Sequence, residues 1–303
     1  MFTLAQLTDV HLSPLPPVRP GQILGQRLLG YLNWIAGRGS FHDRKTLDRL
    51  TADLKASNAD HIAVTGDLTN ISLPLEFQQA AEWLRELGPP DRVTVVPGNH
   101  DAYVPMPVES GLGHWAAYMA SDKTGAAFVS ADQSGFPFVR VVGDVALIGL
   151  SSACPTLPFM ATGRLKQPQI EAFRAVLTQL GDHDLFKIVL VHHPPLPGMS
   201  DWRRGLHDAE ALREVLRELG PNLVLHGHDH QRTHVVLESS RGPVPIIGAP
   251  SASVGKEGSW ALAAYHLYEI SRSNGGWACE MSVRGLAVTG GQVEELDRVT
   301  ITG

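Results

Sequence analysis

Five short segments carry residue types that bind metal ions. In chain order they are Thr8-Asp9-Val10-His11, Gly66-Asp67, Gly98-Asn99-His100-Asp101, His192-His193-Pro194 and Gly227-His228-Asp229-His230. Together they offer carboxylates, one amide oxygen and several imidazoles, and none contains cysteine. That nitrogen and oxygen set suits Fe, Mn or Zn rather than a thiolate-preferring metal. Its richness is what a two-metal hydrolytic centre needs, where paired cations activate water and hold an oxyanion.

The segments differ in what each says alone. Asp9 and His11 stand two apart after a strand-like run, so period-two geometry puts them on one face; the pair by itself is commonplace. Asp67 by itself reads first as a turn residue capping the next helix; its sharper role is a carboxylate between two cations. The Gly98–Asp101 segment is more specific. A turn uses Gly98 and Asn99 but does not require the His-Asp pair behind them. Asn99 can ligate through its amide oxygen, His100 can donate a hydrogen bond or a proton, and Asp101 can fix the imidazole tautomer. His192 and His193 are adjacent at a strand end and point to opposite faces, so one ligand is expected, not two. His228 and His230 share a face, and three histidines in Leu225-His226-Gly227-His228-Asp229-His230 are hard to satisfy by packing, because a buried imidazole needs partners. His226 is expected to be structural. His42, His61, His114, His183, His207, His234 and His266 show no ligand spacing.

The elements that must position these side chains are legible around them. Strand patterns cover Phe2–Leu7, His61–Val64 and Arg92–Val96, so the first three segments each follow a strand. Helices are expected over Arg44–Lys55 and Leu75–Leu87, the second opened by Pro74 and ended by Gly88-Pro89-Pro90. Phe138–Val142 and Val145–Leu150 form a hairpin about Gly143-Asp144. A helix over Pro168–Leu180, a strand over Lys187–Val191, a helix over Ala209–Leu219 and a strand over Asn222–Leu225 follow. The stretch 231–303 is β-rich, with strands over Thr233–Leu237, Val244–Ile247, Leu262–Ile270 and Trp277–Val283. No repeat, low-complexity tract or linker is visible, so residues 1–303 read as one domain. Two α/β halves, each with a mixed sheet, imply a sheet-on-sheet core with helices outside.

Composition excludes several classes. The 303 residues carry a net charge of −6 with 43% hydrophobic and 18% charged residues, an ordinary globular profile without the basic excess of a nucleic-acid binder. No secretory signal is evident at the N-terminus, and no apolar run spans a bilayer. The two cysteines, Cys154 and Cys279, fit a reducing cytoplasm. There is no Gly-x-Gly-x-x-Gly, Walker-type loop or Gly-x-Ser-x-Gly. The segment Ile23–Trp34 sets Leu24, Leu28, Leu29, Leu32 and Trp34 beside Arg27 and Arg38. It is expected to be an amphipathic helix covering the core, with docking on a membrane surface or lipid tail as the alternative.

The order of the five segments resembles the calcineurin-like metallophosphoesterase superfamily, from Asp9 to His230. The resemblance implies a four-layer α/β/β/α sandwich with two mixed β-sheets and a binuclear centre of Fe, Mn or Zn. It matches Asp9, His11 and His230 to one metal, Asp67 to the bridge, and Asn99, His192 and His228 to the second metal. His192 is preferred over His193 because the family's ligand stands two residues before the proline. His100 and Asp101 match the catalytic His-Asp pair, and the implied reaction is attack of a metal-bridging hydroxide on a small phosphate ester. Within the superfamily, the His192-His193-Pro194-Pro195 form, the Gly163-Arg164-Leu165 to Gln169 segment and the β-rich C-terminus are similar to the bacterial class III cyclic-nucleotide and glycerophosphodiester phosphodiesterases. That similarity implies a diesterase. The alternatives are a pyrophosphohydrolase of a lipid-linked nucleotide such as UDP-diacylglucosamine, and a broad phosphomonoesterase.

Overall fold

The computed structural model describes residues 1–130, 135–273 and 275–302. One sheet runs in the order β12-β11-β10-β1-β2-β3, with β1 Phe2–Leu7, β2 His61–Val64, β3 Val93–Val95, β10 Ala264–Ser273, β11 Gly276–Leu286 and β12 Val293–Thr302. Strands β1, β2 and β3 are parallel and the C-terminal three add antiparallel. The second sheet runs β4-β5-β6-β7-β9-β8, with β4 Phe138–Val142, β5 Val145–Gly149, β6 Phe186–Leu190, β7 Leu223–His226, β8 Thr233–Ser239 and β9 Gly242–Gly248. Here β5, β6, β7 and β9 are parallel, with β4 and β8 as antiparallel edges.

Alternation along the strands explains the layering. In β1, Leu4 points one way and Ala5 and Leu7 the other. Leu4 packs with Ile188, Leu190, Leu225, Tyr268 and Met281 in the core between the sheets. Ala5 and Leu7 pack instead with Leu47, Leu50, Leu54, Phe77 and Leu84, which come from α2 Arg44–Ala56 and α3 Pro74–Leu87. On the far face of the second sheet, Ile148, Val189 and Val224 meet Phe173, Leu177, Leu212 and Leu216 of α4 Gln167–Leu180 and α5 Ala209–Leu219. Three apolar cores thus separate four layers in the order α/β/β/α. Strands buried on both faces read as near-continuous apolar runs, which is why the sequence reveals them.

Helix starts follow from local chemistry. Asp43 caps α2 by accepting the Thr46 N–H at 2.9 Å, and Pro74 opens α3 where its missing N–H costs nothing. Within α3, buried Glu76 reaches back to accept the N–H groups of Asn70, Ile71 and Leu73. It thereby ties down the loop that follows β2.

Two expectations are corrected. Strand β12 lies beyond the strands expected from the sequence: it is a charged edge strand with Glu294, Glu295, Asp297 and Arg298, of the kind that hides its β pattern behind solvent-facing charges. The helix expected over Ile23–Trp34 exists as α1 Gln26–Ile35, but it buries none of its residues. It does not cover the core; Leu24 is 72% and Ile35 60% exposed. Among the described residues no helix is long and apolar enough to cross a membrane.

Candidate metal centre

The parallel strands β1, β2, β3, β6 and β7 deliver all five segments to one edge of the paired sheets. This is the carboxyl-end position where open α/β sheets place ligands. The turns after the strands are tight and strained. Asp9 (φ 49°), His11 (41°), Asp67 (57°), His228 (74°) and His230 (53°) all adopt positive φ, which costs about 1–3 kcal/mol each and persists only where the surroundings enforce it. Here main-chain ties enforce it: the N–H groups of Asp9 and His11 donate to the carbonyls of Gly66 and Asp67, each at 2.9 Å.

The glycines beside these residues are required by proximity. A Cβ on Gly66 would lie 2.6 Å from His192 Nδ1, one on Gly98 2.2 Å from Asp67 Oδ1, and one on Gly227 1.9 Å from Thr8 Oγ1. Each glycine lets one segment press against the next.

Within this frame each carboxylate turns one oxygen to the protein and the other to the centre. Asp9 Oδ2 accepts the Thr8 hydroxyl at 2.7 Å and the His228 N–H at 2.9 Å. Asp9 Oδ1 has no hydrogen-bond donor among the described residues and lies 3.1 Å from His230 Nε2 and 3.9 Å from His11 Nε2. Asp67 Oδ1 accepts the His100 N–H at 2.7 Å, while Oδ2 lies 3.8 Å from His11 Nε2 and 3.3 Å from His192 Nε2. The imidazoles are aimed from behind. His192 Nδ1–H donates to the Thr65 carbonyl at 2.7 Å and His11 Nδ1–H to the Thr69 carbonyl at 3.1 Å, so both Nε2 atoms face inward. Asn99 Oδ1 lies 3.2 Å from His192 Nε2 and 2.9 Å from His228 Nδ1. Asp9, His11 and His230 form one compact donor group, and Asp67, His192 and His228 another; Asp67 also groups with His11 and His100.

The electrostatics call for cations. Burial alone would raise Asp9 and Asp67, but the surrounding imidazoles outweigh it and hold both below the usual carboxylate range. Burial also opposes charge on His192, yet the Asp67 carboxylate overrides it and lifts that imidazole to about 10. His11 and His228 are pushed well down by burial and then by neighbouring cationic or imidazole groups, which leaves neutral, ligand-competent nitrogens. Ionised, buried carboxylates face the neutral imidazoles of His11 and His228 and the protonated one of His192, whose Nε2 proton a metal ion would displace; with Asp9 Oδ1 lacking any donor among the described residues, the set fits metal ions.

The structure sorts the remaining expectations. His193 is excluded from the centre: its Nδ1 meets Ser152 Oγ at 2.7 Å and its Nε2–H donates to the Ala161 carbonyl at 3.1 Å. His226 is buried and structural, held by the Gly227 carbonyl and Thr233. His100 Nδ1–H donates to the Asn70 carbonyl, so Asn70, and not Asp101, sets its ring. Asp101 instead accepts the main-chain N–H groups of Asp67, Leu68, Thr69 and Gly98 at 2.8–2.9 Å. The expectation that Asp101 fixes the His100 tautomer is therefore corrected.

Sequence reasoning missed the walls. A cavity of about 340 Å³ is lined by Asp67, Asn99, His100, His228 and His230 together with Asn33, Arg38, Phe41, Arg204 and Trp260. His42, a histidine without ligand spacing, stacks on Trp34 with rings 4° from parallel and lies 4.4 Å from the His11 ring. Arg204, a loop cation downstream of His192, lines the cavity as well. The fold adds Arg38 to the cavity, a residue whose distance along the chain gave no signal.

Comparison with known proteins agrees with this geometry. The calcineurin-like phosphoesterase family model matches residues 2–232, and the chain belongs to that family. A probable cyclic nucleotide phosphodiesterase from Synechococcus sp. is 25% identical over 286 residues, covering 92% of this chain and 91% of that protein. Among solved structures, a dimetal phosphatase from Danio rerio superposes with a TM-score of 0.62 at 15% identity, covering 99% of this chain and 98% of that one. A purple acid phosphatase from yellow lupin seeds superposes with a TM-score of 0.54 at 13% identity, covering 99% of this chain and 53% of that one. These structural likenesses establish a shared fold. Family membership and the paired donor groups together make the chain a metal-dependent phosphoester hydrolase with two transition-metal ions.

Proposed function

We propose that the chain is a phosphodiesterase acting on small diesters. One ion would be held by Asp9, His11 and His230 and the other by Asn99, His192 and His228, with Asp67 serving both. The observation that carries the two-ion assignment is Asp67 Oδ2, which faces His11 Nε2 and His192 Nε2 at once. When bound, the ions supply Lewis acidity and a nucleophilic water at neutral pH. The residues supply the rest. Asp9 and Asp67 offset the positive charge, and the carbonyls of Thr65 and Thr69 keep the imidazoles aimed. His100 lines the cavity with its Nδ1–H engaged by Asn70, which leaves Nε2 to serve the leaving oxygen. A proton carried on Nε2 is what His100 would pass to that oxygen.

The diester preference is supported by the name of the Synechococcus relative and by the His192-His193-Pro194-Pro195 form. Wild-type enzyme loaded with metal should turn over bis-p-nitrophenyl phosphate with higher kcat/KM than p-nitrophenyl phosphate. The reverse ranking overturns the diesterase reading. Elemental analysis should approach two metal equivalents per chain and fall below two in Asp67→Asn; full loading of that variant would refute the bridge.

A second reading, a lipid-linked phosphate ester, is favoured by the exposed face of α1. Leu24, Leu28, Leu29, Leu32 and Ile35 are all exposed, and Asn33 of the same helix lines the cavity. Residues 10–42 contain Arg19, Arg27 and Arg38 but no Asp or Glu, so this rim is cationic in an acidic protein, a pattern that suits an anionic amphiphile. The expected result is cosedimentation with phosphatidylglycerol vesicles that weakens in Leu28→Asp and Leu32→Asp. Wild-type protein that stays in solution beside such vesicles rules this reading out.

A further inference from the structure

We infer that Arg38 is the residue that receives the substrate's phosphoryl oxygens at the mouth of the metal centre. The inference deepens the phosphoester-hydrolase reading and holds for either ester class. Arg38 lines the cavity together with Asp67, Asn99 and His100. Its Nη2 lies 3.2 Å from His11 Nε2, the nitrogen assigned to the first ion. Its Nε is buried and, among the described residues, has no hydrogen-bond partner. A guanidinium has donors only, and a buried one is ordinarily paired with a carboxylate or saturated by carbonyls. Other arginines of this chain follow that rule: Arg284 forks onto Asp53 at 2.8 Å, and Arg140 donates to four carbonyls. Arg204, on the same cavity, is already committed to the His228 carbonyl and Asp229. Among the described residues Arg38 has no carboxylate within ion-pair distance: Nη2 meets His11 Nε2 and Nε has no partner, so the guanidinium is only partly satisfied and can receive a guest.

The placement is built rather than incidental. Arg38 opens a short turn just after α1, between Gly37 at φ 151° and Gly39. A Cβ on Gly39 would come within 2.7 Å of the Trp34 indole, so the turn folds tightly onto that ring. Trp34 stacks on His42, and His42 is anchored to Ser253 at 2.9 Å while its ring borders His11 and His230. The chain of contacts holds α1 and its turn directly against the first donor group. The planar fork matches two oxygens of a tetrahedral phosphate, a fit that a lysine ammonium lacks.

The test uses metal-loaded full-length protein with inorganic phosphate as the probe, measured by calorimetry alongside metal content and turnover. A charged hydrogen-bond donor lost from a buried site predicts that Arg38→Met binds phosphate about 10- to 100-fold more weakly. Metal content should remain at the wild-type value, and KM should rise more than kcat falls. Arg38→Lys should recover part of the phosphate affinity. Unchanged phosphate affinity in a fully loaded Arg38→Met protein overturns the inference. So does parallel loss of metal in both variants, which would make Arg38 a support for His11. The ester ranking of the wild-type enzyme tests the diesterase reading separately, because phosphate binding does not depend on which ester is preferred.

Discussion

The Asp101 carboxylate accepts the main-chain N–H of Asp67 at 2.8 Å, so one acid of the site is splinted by another. The same carboxylate collects three further backbone N–H groups and the Thr69 hydroxyl. Asp101 is therefore a positioning residue for the bend that carries Asp67. In Asp101→Asn an amide nitrogen would face donors that need an acceptor. We expect the substitution to destabilise the fold by roughly 3 kcal/mol, within the cost of leaving buried donors unmade, and to weaken metal retention. Equilibrium unfolding and elemental analysis check this. A variant with two ions, normal stability and only a loss of turnover would return Asp101 to the chemistry.

His100 should behave in the opposite way. It contributes its main-chain N–H to Asp67, and its ring is steered by Asn70, so His100→Ala removes the ring and keeps the backbone contact. Metal content should stay near the wild-type level while turnover of esters with poor leaving groups falls by roughly 10²–10⁴-fold. Esters of p-nitrophenol need less protonation and should lose less. Equal losses on both ester types would exclude a general-acid role.

Part of the acid sensitivity should arise away from the metals. Burial drives the imidazoles of His61 and His266 down to about 3, whereas in the unfolded chain each protonates at about 6.5. Between those values the unfolded state binds more protons, so stability is fully present above about pH 6.5 and drains as the pH falls. The slope is about 1.4 kcal/mol per pH unit for each histidine. Urea unfolding at pH 7, 6 and 5 should show this decline, and His61→Gln should flatten it by about one histidine's share. A variant whose slope matches the wild type would locate the acid lability elsewhere.

The sequence exposed those parts of the fold whose signal is local. Doubly buried strands such as His61–Val64 and Phe186–Leu190 announce themselves by apolar runs, and the donor-rich turns sit directly behind them. What it hid depends on distance. Arg38 and Asp67 are separated along the chain by α2 and β2, and they share a cavity because Trp34 stacks on His42. The tautomer of His100 is set by a main-chain carbonyl, that of Asn70, and carbonyls carry no side-chain signature. Strand β12 was hidden for another reason: an edge strand satisfies its outward side chains with water, so Glu294, Glu295 and Asp297 mask the alternation of Val293, Val299 and Ile301.

The hydrogen bond from the His228 N–H to Asp9 Oδ2 spans 219 positions of sequence. No earlier-synthesised portion of the chain can substitute for it, because His228 and His230 follow every other member of the centre. Asp9 and His11 follow β1 of one sheet, whereas His228 and His230 follow β7 of the other, so the donor group of Asp9, His11 and His230 spans both sheets. Bringing such distant segments together costs loop entropy, and an ion held by that group would be a cross-link between the two sheets.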